Sequence, residues 1–238
     1  MTDVWNLYIA QDYLTPGARE TVDLVRQHVP LDARTNVLEV APGKGTTALT
    51  LAEEYGCRVL GVELHAFVNY ARRAARKRGL GDRVSFVRGD GGALPVRDAT
   101  FDAAICIGAP SIVGTERCLR AMHRALRPGG AIVVSDWTWT AADPPPEAVP
   151  PHVTGPFVTL DTYASAIRDA GFRIVHGEPL PQRVWDDHYA PLRGPVAEQR
   201  GADPTGPVDP IEAEMRAYDA AGADWWRYSA FVAVNMQA

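Results

Sequence analysis

Two carboxylates and two glycines in the first third of the sequence have the spacing of a ligand-binding turn. Glu39 comes just before a tight turn that contains Gly43 and Gly45. Glycine is needed where a Cβ would block an approaching ligand or the dihedral angles of the turn. Glu63 follows about twenty residues later, and an acid at that spacing can accept hydrogen bonds from both hydroxyls of a ribose. These residues therefore predict a site for a ligand that carries a ribose.

Two ligands fit this arrangement. The spacing of Gly43, Gly45 and Ala48 matches the dinucleotide fingerprint G-x-G-x-x-G/A, which would indicate an NAD-linked oxidoreductase. Glu39 favours another ligand, because a dinucleotide-binding fold usually has an apolar residue at that point of its first strand. A carboxylate at the end of a strand can accept a hydrogen bond from a ligand ammonium. That chemistry suits the amino-acid half of S-adenosylmethionine (SAM).

The elements around the turn would bring backbone N–H groups to one point. Residues 37–40 form a short apolar run, broken only by the acid, that is typical of a buried parallel strand. Residues 46–55 predict a helix that ends at Gly56, and a second strand over 58–62 leads into Glu63. The order of strand, glycine turn and helix places the positive end of the helix beside the ligand.

Residues 39–45 resemble the acid-x-G-x-G-x-G loop of the class I SAM-dependent methyltransferases. Ala41 takes the place of the first glycine, and Pro42 takes the place of a frequent cysteine. We expect alanine to be tolerated there with a negative φ, which would cost little.

Three further stretches resemble the third strand of that family with its adenine-binding acid, the approach to its fourth strand and the turn into its fifth: residues 84–90, 94–102 and 126–130. The ordered resemblance covers residues 35–136. It implies that Asp90 accepts the N6 hydrogens of adenine and that the Gly91 N–H donates to the ring. The residues expected to hold SAM are Glu39, Ala41, Gly43, Gly45, Glu63, Leu64, Asp90, Gly91 and Ile107.

The expected fold is α/β, with a doubly wound, mostly parallel sheet of seven strands, an antiparallel last strand and helices on both faces. The later strands are expected at residues 103–107, 131–136, 172–175 and 230–234. The whole chain, 1–238, would be one methyltransferase domain. Its lid-forming parts would be an N-terminal lid and helix over 1–30 and two substrate-cap insertions over 138–160 and 178–228.

Composition narrows the class of protein. The 238 residues carry a formal net charge of -5, which opposes strong binding to nucleic acid. The basic run 72–78 suits a solvated helix C-terminus better than an RNA-binding patch. Cys57, Cys106 and Cys118 have no metal-binding spacing, so no metal site is expected, and buried thiols in a reducing cytoplasm are the simpler explanation. We see no signal peptide or membrane span, and expect a cytoplasmic protein whose oligomeric state stays open.

Aromatic residues outside the expected strands suggest a pocket for a flat or apolar small molecule. The candidates for substrate contact are Trp137, Trp139, Trp185 and Tyr189. An equally open alternative is that they attach the insertion to the domain. The stretches 135–139 and 180–189 resemble a small-molecule branch of the family near the quinone C-methyltransferases. That branch has an acid and a tyrosine in the loop after strand four, where this sequence has Ile107 and Ser111.

Methyl transfer from a sulfonium depends mostly on proximity and alignment. A phenol, amine or enol acceptor would also need a proton acceptor that works near neutral pH. His188, between tryptophan and tyrosine side chains, is the first candidate and Asp136, at the end of strand five, is the second. A SAM-binding protein that senses the cofactor or performs a non-methyl reaction remains an alternative.

Overall fold

The computed structural model describes residues 11–202 and 210–236. Its seven strands are β1 (Asn36–Val40), β2 (Arg58–Glu63), β3 (Val84–Arg88), β4 (Phe101–Ile107), β5 (Leu126–Trp139), β6 (Phe172–Pro179) and β7 (Trp226–Asn235). They form one sheet in the order β3-β2-β1-β4-β5-β7-β6. Strands β1 to β5 pair in parallel, and β7 runs antiparallel to both β5 and β6. The expected doubly wound sheet with an antiparallel last strand is confirmed.

The helices are α1 (Ala18–His28), α2 (Thr46–Tyr55), α3 (Phe67–Lys77), α4 (Pro110–Val113), α5 (Thr115–Ala125), α6 (Leu160–Asp169), α7 (Arg183–Ala202), α8 (Pro210–Ala217) and α9 (Ala223–Trp225). A π-helical turn, Tyr218–Gly222, joins α8 to α9.

Both faces of the sheet are covered because its central strands are apolar on both sides. Val37 and Ile105 belong to a buried cluster with residues of α1, α2, α3 and α7. Their neighbours Leu38 and Ala104 point the opposite way and belong to a second cluster with α5 and α6. Alternate residues of a strand face opposite sides of a sheet, so Glu39 lies on the same side as α2.

Strands β5 and β7 are longer than the sequence indicated. The expected strand over 131–136 extends to Trp139, and β7 begins at Trp226 rather than at Ala230. Trp137 pairs with Tyr228 and Trp139 with Trp226 across the two strands. The tryptophans expected in a loop after strand five therefore lie in the sheet. The cap insertion was expected to begin at residue 138, but the chain leaves the sheet only after Trp139.

Helix α7 runs through a Pro/Gly-rich stretch that begins at Pro191. The helix continues past Pro191 and Pro195, each of which removes a backbone hydrogen bond. Trp185, Tyr189 and Leu192 lie on one helical stripe and are almost fully buried. Burial of that stripe offsets the cost of the two prolines.

Candidate functional site

A cavity of about 220 Å³ lies where β1, β2 and β4 end. Five of the nine residues expected to hold a cofactor line it: Glu39, Ala41, Gly43, Glu63 and Ile107. Parallel strands place their carboxyl ends at one edge of a sheet, and ligands of doubly wound folds bind there. The structure therefore brings the two acids and the glycine turn together.

The carboxylate of Glu63 is held in place by backbone donors on both sides. The N–H of Gly43 donates to Oε2 at 3.0 Å, and the N–H of His65 donates to Oε1 at 2.8 Å. Each carboxylate oxygen has a second acceptor position left for a ligand hydroxyl. Glu63 thus faces the cavity in an orientation that suits a ribose diol.

Glu39 is buried beside the first turn of α2. The N–H of Ala48 donates to its Oε2 at 3.0 Å. Burial raises the pKa of Glu39 to about 8, since few polar groups replace the water around the carboxylate. The carboxyl group is therefore largely protonated at pH 7, and a ligand ammonium in the cavity would favour its ionised form.

Two positions in the turn differ from what their residue types suggested. Ala41 has φ +52°, so the expectation of a negative φ is wrong, and its methyl group is in a conformation that favours glycine. Gly45 does not line the cavity. A Cβ there would lie 2.5 Å from Cζ of Phe86, so the close packing of α2 on β3 explains this glycine.

The remaining three expected cofactor contacts are not part of the cavity wall. Asp90 accepts the Gly92 N–H at 2.8 Å and pairs with Arg117 at 2.9 Å, which lowers the pKa of its carboxyl group. A Cβ on Gly91 would lie 2.6 Å from Cγ1 of Val40, so packing accounts for that glycine. Leu64 is 50% exposed beside Glu63. Its exposure leaves an apolar surface free at the cavity rim.

A segment before α1 covers the cavity, and the sequence indicated such a lid without naming its contacts. A Cβ on Gly43 would lie 2.9 Å from Cδ1 of Leu14. The ammonium of Lys44 donates to the backbone carbonyl of Gln11, and the Thr46 hydroxyl donates to that of Asp12 at 2.6 Å. The glycine turn thus holds the lid with its own side chains. Residues 1–10 of the expected lid lie outside the described part of the chain.

Thr15 precedes the first helix but does not cap it. Gly17 occupies the N-cap position of α1, and no side chain caps it. The Thr15 hydroxyl shares a hydrogen bond with the phenol of Tyr228. Both hydroxyls lie against the end of β4, where a Cβ on Gly108 would come within 2.6 Å of the phenol oxygen.

Asp136, expected as a possible proton acceptor, lies behind the cavity wall. It accepts the Ser111 N–H at 2.7 Å, the Ser111 hydroxyl at 3.2 Å and the Trp137 N–H at 2.8 Å. Burial raises the pKa of Asp136 to about 6. These bonds fix the short helix α4, which with its N-cap residue carries Ala109 and Ile112 into the cavity wall.

His188 lies on a second cavity of about 430 Å³, outside the cofactor cavity. The ring is 9% exposed, and burial lowers its pKa to about 4. The imidazole is therefore neutral at pH 7, as a proton acceptor must be, but it is a weaker base than an exposed histidine.

The four aromatic residues expected to contact substrate form a packed cluster. The rings of Trp137 and Trp139 stack with centroids 5.2 Å apart, and those of Trp185 and Tyr189 stack at 6.0 Å. None of the four lines the cofactor cavity, and Trp185 is 2% exposed. The structure supports the alternative in which they attach α7 to the sheet.

The part of the chain described here contains no cluster of side chains that could hold a metal ion. Within residues 11–202 and 210–236, no helix is both long enough and apolar enough to span a bilayer.

Comparison with known proteins points to one family. Residues 37–130 match the model of a family described as "Methyltransferase domain". The chain is 27% identical over 188 residues to the uncharacterised protein YjhP of Escherichia coli K12, covering 77% of this chain and 74% of that protein. It is 36% identical over 132 residues to a demethylmenaquinone methyltransferase of Thermus thermophilus, covering 54% of this chain and 55% of the enzyme. The chain spans 28% to 55% of the length of the sterol and demethylmenaquinone methyltransferases that it matches.

Solved structures share the fold over nearly the whole chain. A SAM-dependent methyltransferase from Thiobacillus denitrificans, in complex with S-adenosyl-L-homocysteine, superposes with a TM-score of 0.79 at 23% identity and covers 98% of both chains. The [4+2]-cyclase SpnF superposes with a TM-score of 0.75 at 25% identity, covering 91% of this chain and 80% of the cyclase. In its matched domain over residues 37–130, its sheet order and the acids at its glycine turn, the chain is similar to the class I SAM-dependent methyltransferases.

Proposed function

We propose that the chain transfers a methyl group from SAM to a small-molecule acceptor, using the cavity at the ends of β1, β2 and β4. The observation that carries the proposal is the convergence of Glu39, Gly43 and Glu63 on that cavity. SAM supplies an electrophilic methyl group on a sulfonium. Glu63 would accept the ribose hydroxyls, and Glu39 would face the amino-acid end of the cofactor.

The adenine end has a plausible place on the cavity rim. Leu64 and Ile112 are two of the few large apolar side chains in the described residues that are strongly exposed. Ile112 lines the cavity, and Leu64 directly follows Glu63. An adenine ring held near these side chains would bury apolar surface. Asp90 could accept from adenine as well, because each of its carboxylate oxygens accepts one hydrogen bond and has a second acceptor position left.

The lid must move to admit the cofactor. The cavity of about 220 Å³ is smaller than the roughly 300–1,000 Å³ of typical small-molecule sites. Leu14 is the side chain that approaches Gly43, so its displacement would enlarge the cavity where the amino-acid end is expected. Once closed again, the lid would exclude water from the sulfonium. Alignment of the acceptor with the methyl group would then supply most of the rate acceleration.

The proton-acceptor role is assigned to His188 rather than Asp136. His188 borders a second cavity next to the lid, whereas the Asp136 carboxylate already accepts three hydrogen bonds. We therefore propose that Asp136 positions the loop around Ser111. A substrate role for the packed aromatic cluster would require that cluster to open, so we do not assign one.

Calorimetry with SAM and with S-adenosylhomocysteine (SAH) tests the cofactor assignment. We expect both to bind, and Glu63→Ala to weaken SAH binding by about tenfold or more, because a hydrogen bond to a charged group contributes about 1.5–3 kcal/mol. Radiolabelled methyl transfer from SAM to a metabolite extract then tests the reaction. Absence of SAM and SAH binding by the folded wild-type protein would reject the function.

A non-methyl reaction on the same fold is the second candidate. It is favoured by the likeness to the [4+2]-cyclase SpnF. Consumption of an acceptor without appearance of SAH would identify it. We also propose a cytoplasmic protein without nucleic-acid partners, supported by the buried, unpaired thiols of Cys57, Cys106 and Cys118 and by the net charge of -5.

A further inference from the structure

The second cavity is a groove between the N-terminal segment 11–20 and the first two turns of α7. Its volume is about 430 Å³. Ala18, Val184 and His188 are buried at its floor, and charged side chains are exposed at its rim. A groove of this size can hold a small molecule of about one or two rings.

The groove and the cofactor cavity share a wall. Asp12, Tyr13, Thr15 and Ala18 line both. Thr15 is held in that wall by its hydrogen bond to Tyr228, next to the end of β4. A molecule in the groove would therefore contact side chains that also line the cofactor cavity.

The charges around the groove do not balance. Asp12, Glu20 and Asp187 contribute three carboxylates, and Arg19 and Arg183 contribute two guanidinium groups. His188 adds no charge at pH 7, because burial lowers its pKa to about 4. The described lining therefore has a net charge of -1.

Both guanidinium groups already pair with carboxylates of the groove. Arg19 pairs with Asp12 at 2.9 Å. Arg183 serves two carboxylates at once, Glu20 at 2.7 Å and Asp187 at 3.3 Å. One carboxylate charge is thus only partly compensated, and a ligand cation would complete the pairing.

We propose that this groove binds the methyl acceptor and that the acceptor carries an amine, held by Glu20 and Asp187. This inference rests on the proposed methyl transfer. Opening of the lid at Thr15 would bring the amine nitrogen to the cofactor. The ammonium first loses a proton to His188 in the groove wall, and the proton then passes to solvent through the open rim. The nitrogen lone pair then forms the N–C bond, and the electron pair of the breaking S–C bond stays on sulfur, giving SAH.

Calorimetry on the SAH-saturated full chain tests the assignment with two probes that share a ring system and differ in charge, tryptamine and indole-3-propionate. We expect tryptamine to bind at least tenfold more tightly. Asp187→Arg should reverse that preference, because it turns the net charge of the groove positive. Asp161→Arg is the matched control, since Asp161 lies in the first turn of α6 and lines a separate groove between α5 and α6. It should leave the preference unchanged.

Location is tested separately by Val184→Trp, which fills the floor of the groove, against Ala166→Trp in the groove between α5 and α6. Only the first should abolish tryptamine binding, and both should bind SAH as the wild type does. If Val184→Trp does not fold, the two arginine variants decide alone. The proposal is overturned if tryptamine does not bind, if the carboxylate probe binds as well, or if Asp187→Arg leaves the preference intact. Loss of SAH binding by the wild-type chain would instead reject the proposed function.

Discussion

The hydroxyl of Thr15 is hydrogen-bonded to the phenol of Tyr228, although 213 positions separate the two residues in the sequence. The bond joins the lid to β7 at the end of β4. Tyr228 is buried, and burial raises the pKa of its phenol well above the usual range, so it stays neutral. The position of the lid over the cofactor cavity therefore depends on a strand at the far end of the described chain.

Removing either hydroxyl should destabilise the protein and release the lid. We expect Thr15→Val and Tyr228→Phe each to lower the free energy of unfolding by about 1–2 kcal/mol, because each leaves its partner without a hydrogen bond. The double variant should lose less unfolding free energy than the two single variants lose together. Urea unfolding of the three variants measures this difference. Additive effects would show that the two hydroxyls do not depend on each other.

A second hydroxyl pair, between β5 and β7, gives the control. Thr138 and Ser229 are buried and hydrogen-bonded at 2.6 Å, away from both cavities. Thr138→Val should cost a similar amount of stability and leave SAH affinity unchanged. Thr15→Val should change SAH affinity as well.

Glu39 should make stability depend on pH just above neutrality. Its folded-state pKa of about 8 lies above the ordinary glutamate value of 4.5, so the folded state binds the extra proton. Its stabilising contribution is complete below pH 4.5 and is lost as pH rises through 8. Between pH 7 and 8.5, the wild type should lose about 1 kcal/mol of unfolding free energy more than Glu39→Gln does.

Urea unfolding of both proteins at the two pH values measures this difference. Asp136 and His188 titrate below the window, with pKa values of about 6 and about 4. They are also the same in both proteins, so their contributions cancel. Parallel pH profiles for the two proteins would contradict the raised pKa of Glu39.

Ala41→Gly should stabilise the protein by about 0.5–1 kcal/mol, because glycine adopts the φ of +52° without strain from a Cβ. Ala74 lies in the interior of α3, so Ala74→Gly should destabilise by a similar amount. Thermal and urea unfolding of the two variants make the comparison. A loss of stability in Ala41→Gly would mean that packing of the methyl group outweighs backbone strain.

Gly43 and Gly79 separate backbone strain from crowding of the site. Both have positive φ, +54° and +71°, but a Cβ on Gly79 would meet nothing within 4 Å. Both alanine variants should lose about 1–2 kcal/mol of stability from strain. Only Gly43→Ala should also weaken SAH binding, by about tenfold or more, because its methyl group points toward Leu14 and the cavity. Equal SAH affinity in the two variants would place the ligand elsewhere.

The sheet and the cofactor turn could be predicted because their signals are local. Each parallel strand is a short apolar run. The positions of Glu39, Gly43 and Glu63 at or just after the ends of the first two runs identified them as residues of the site. The φ of Ala41 could not be predicted, since residue type alone favours the negative value. The strain at Ala41 is imposed by the backbone conformation of the turn that joins β1 to α2.

The parts that sequence reasoning misplaced depend on distant contacts. Trp139 looked like a loop residue because prolines follow it, yet pairing with Trp226 extends the strand. Pro191 indicated a break, yet burial of the stripe through Tyr189 keeps the helix intact. Thr15 had the position of a helix cap, and only Tyr228 across the fold gives it another role.

The place of β7 between β5 and β6 has a consequence for synthesis of the protein. Among the described strands, residues 226–235 are the last to leave the ribosome, but they fill an interior position of the sheet. Until they emerge, the nascent chain exposes one edge of β5 and lacks the phenol that anchors Thr15. Translation must therefore proceed almost to the end of the described chain before the entrance of the cofactor cavity can acquire its final form.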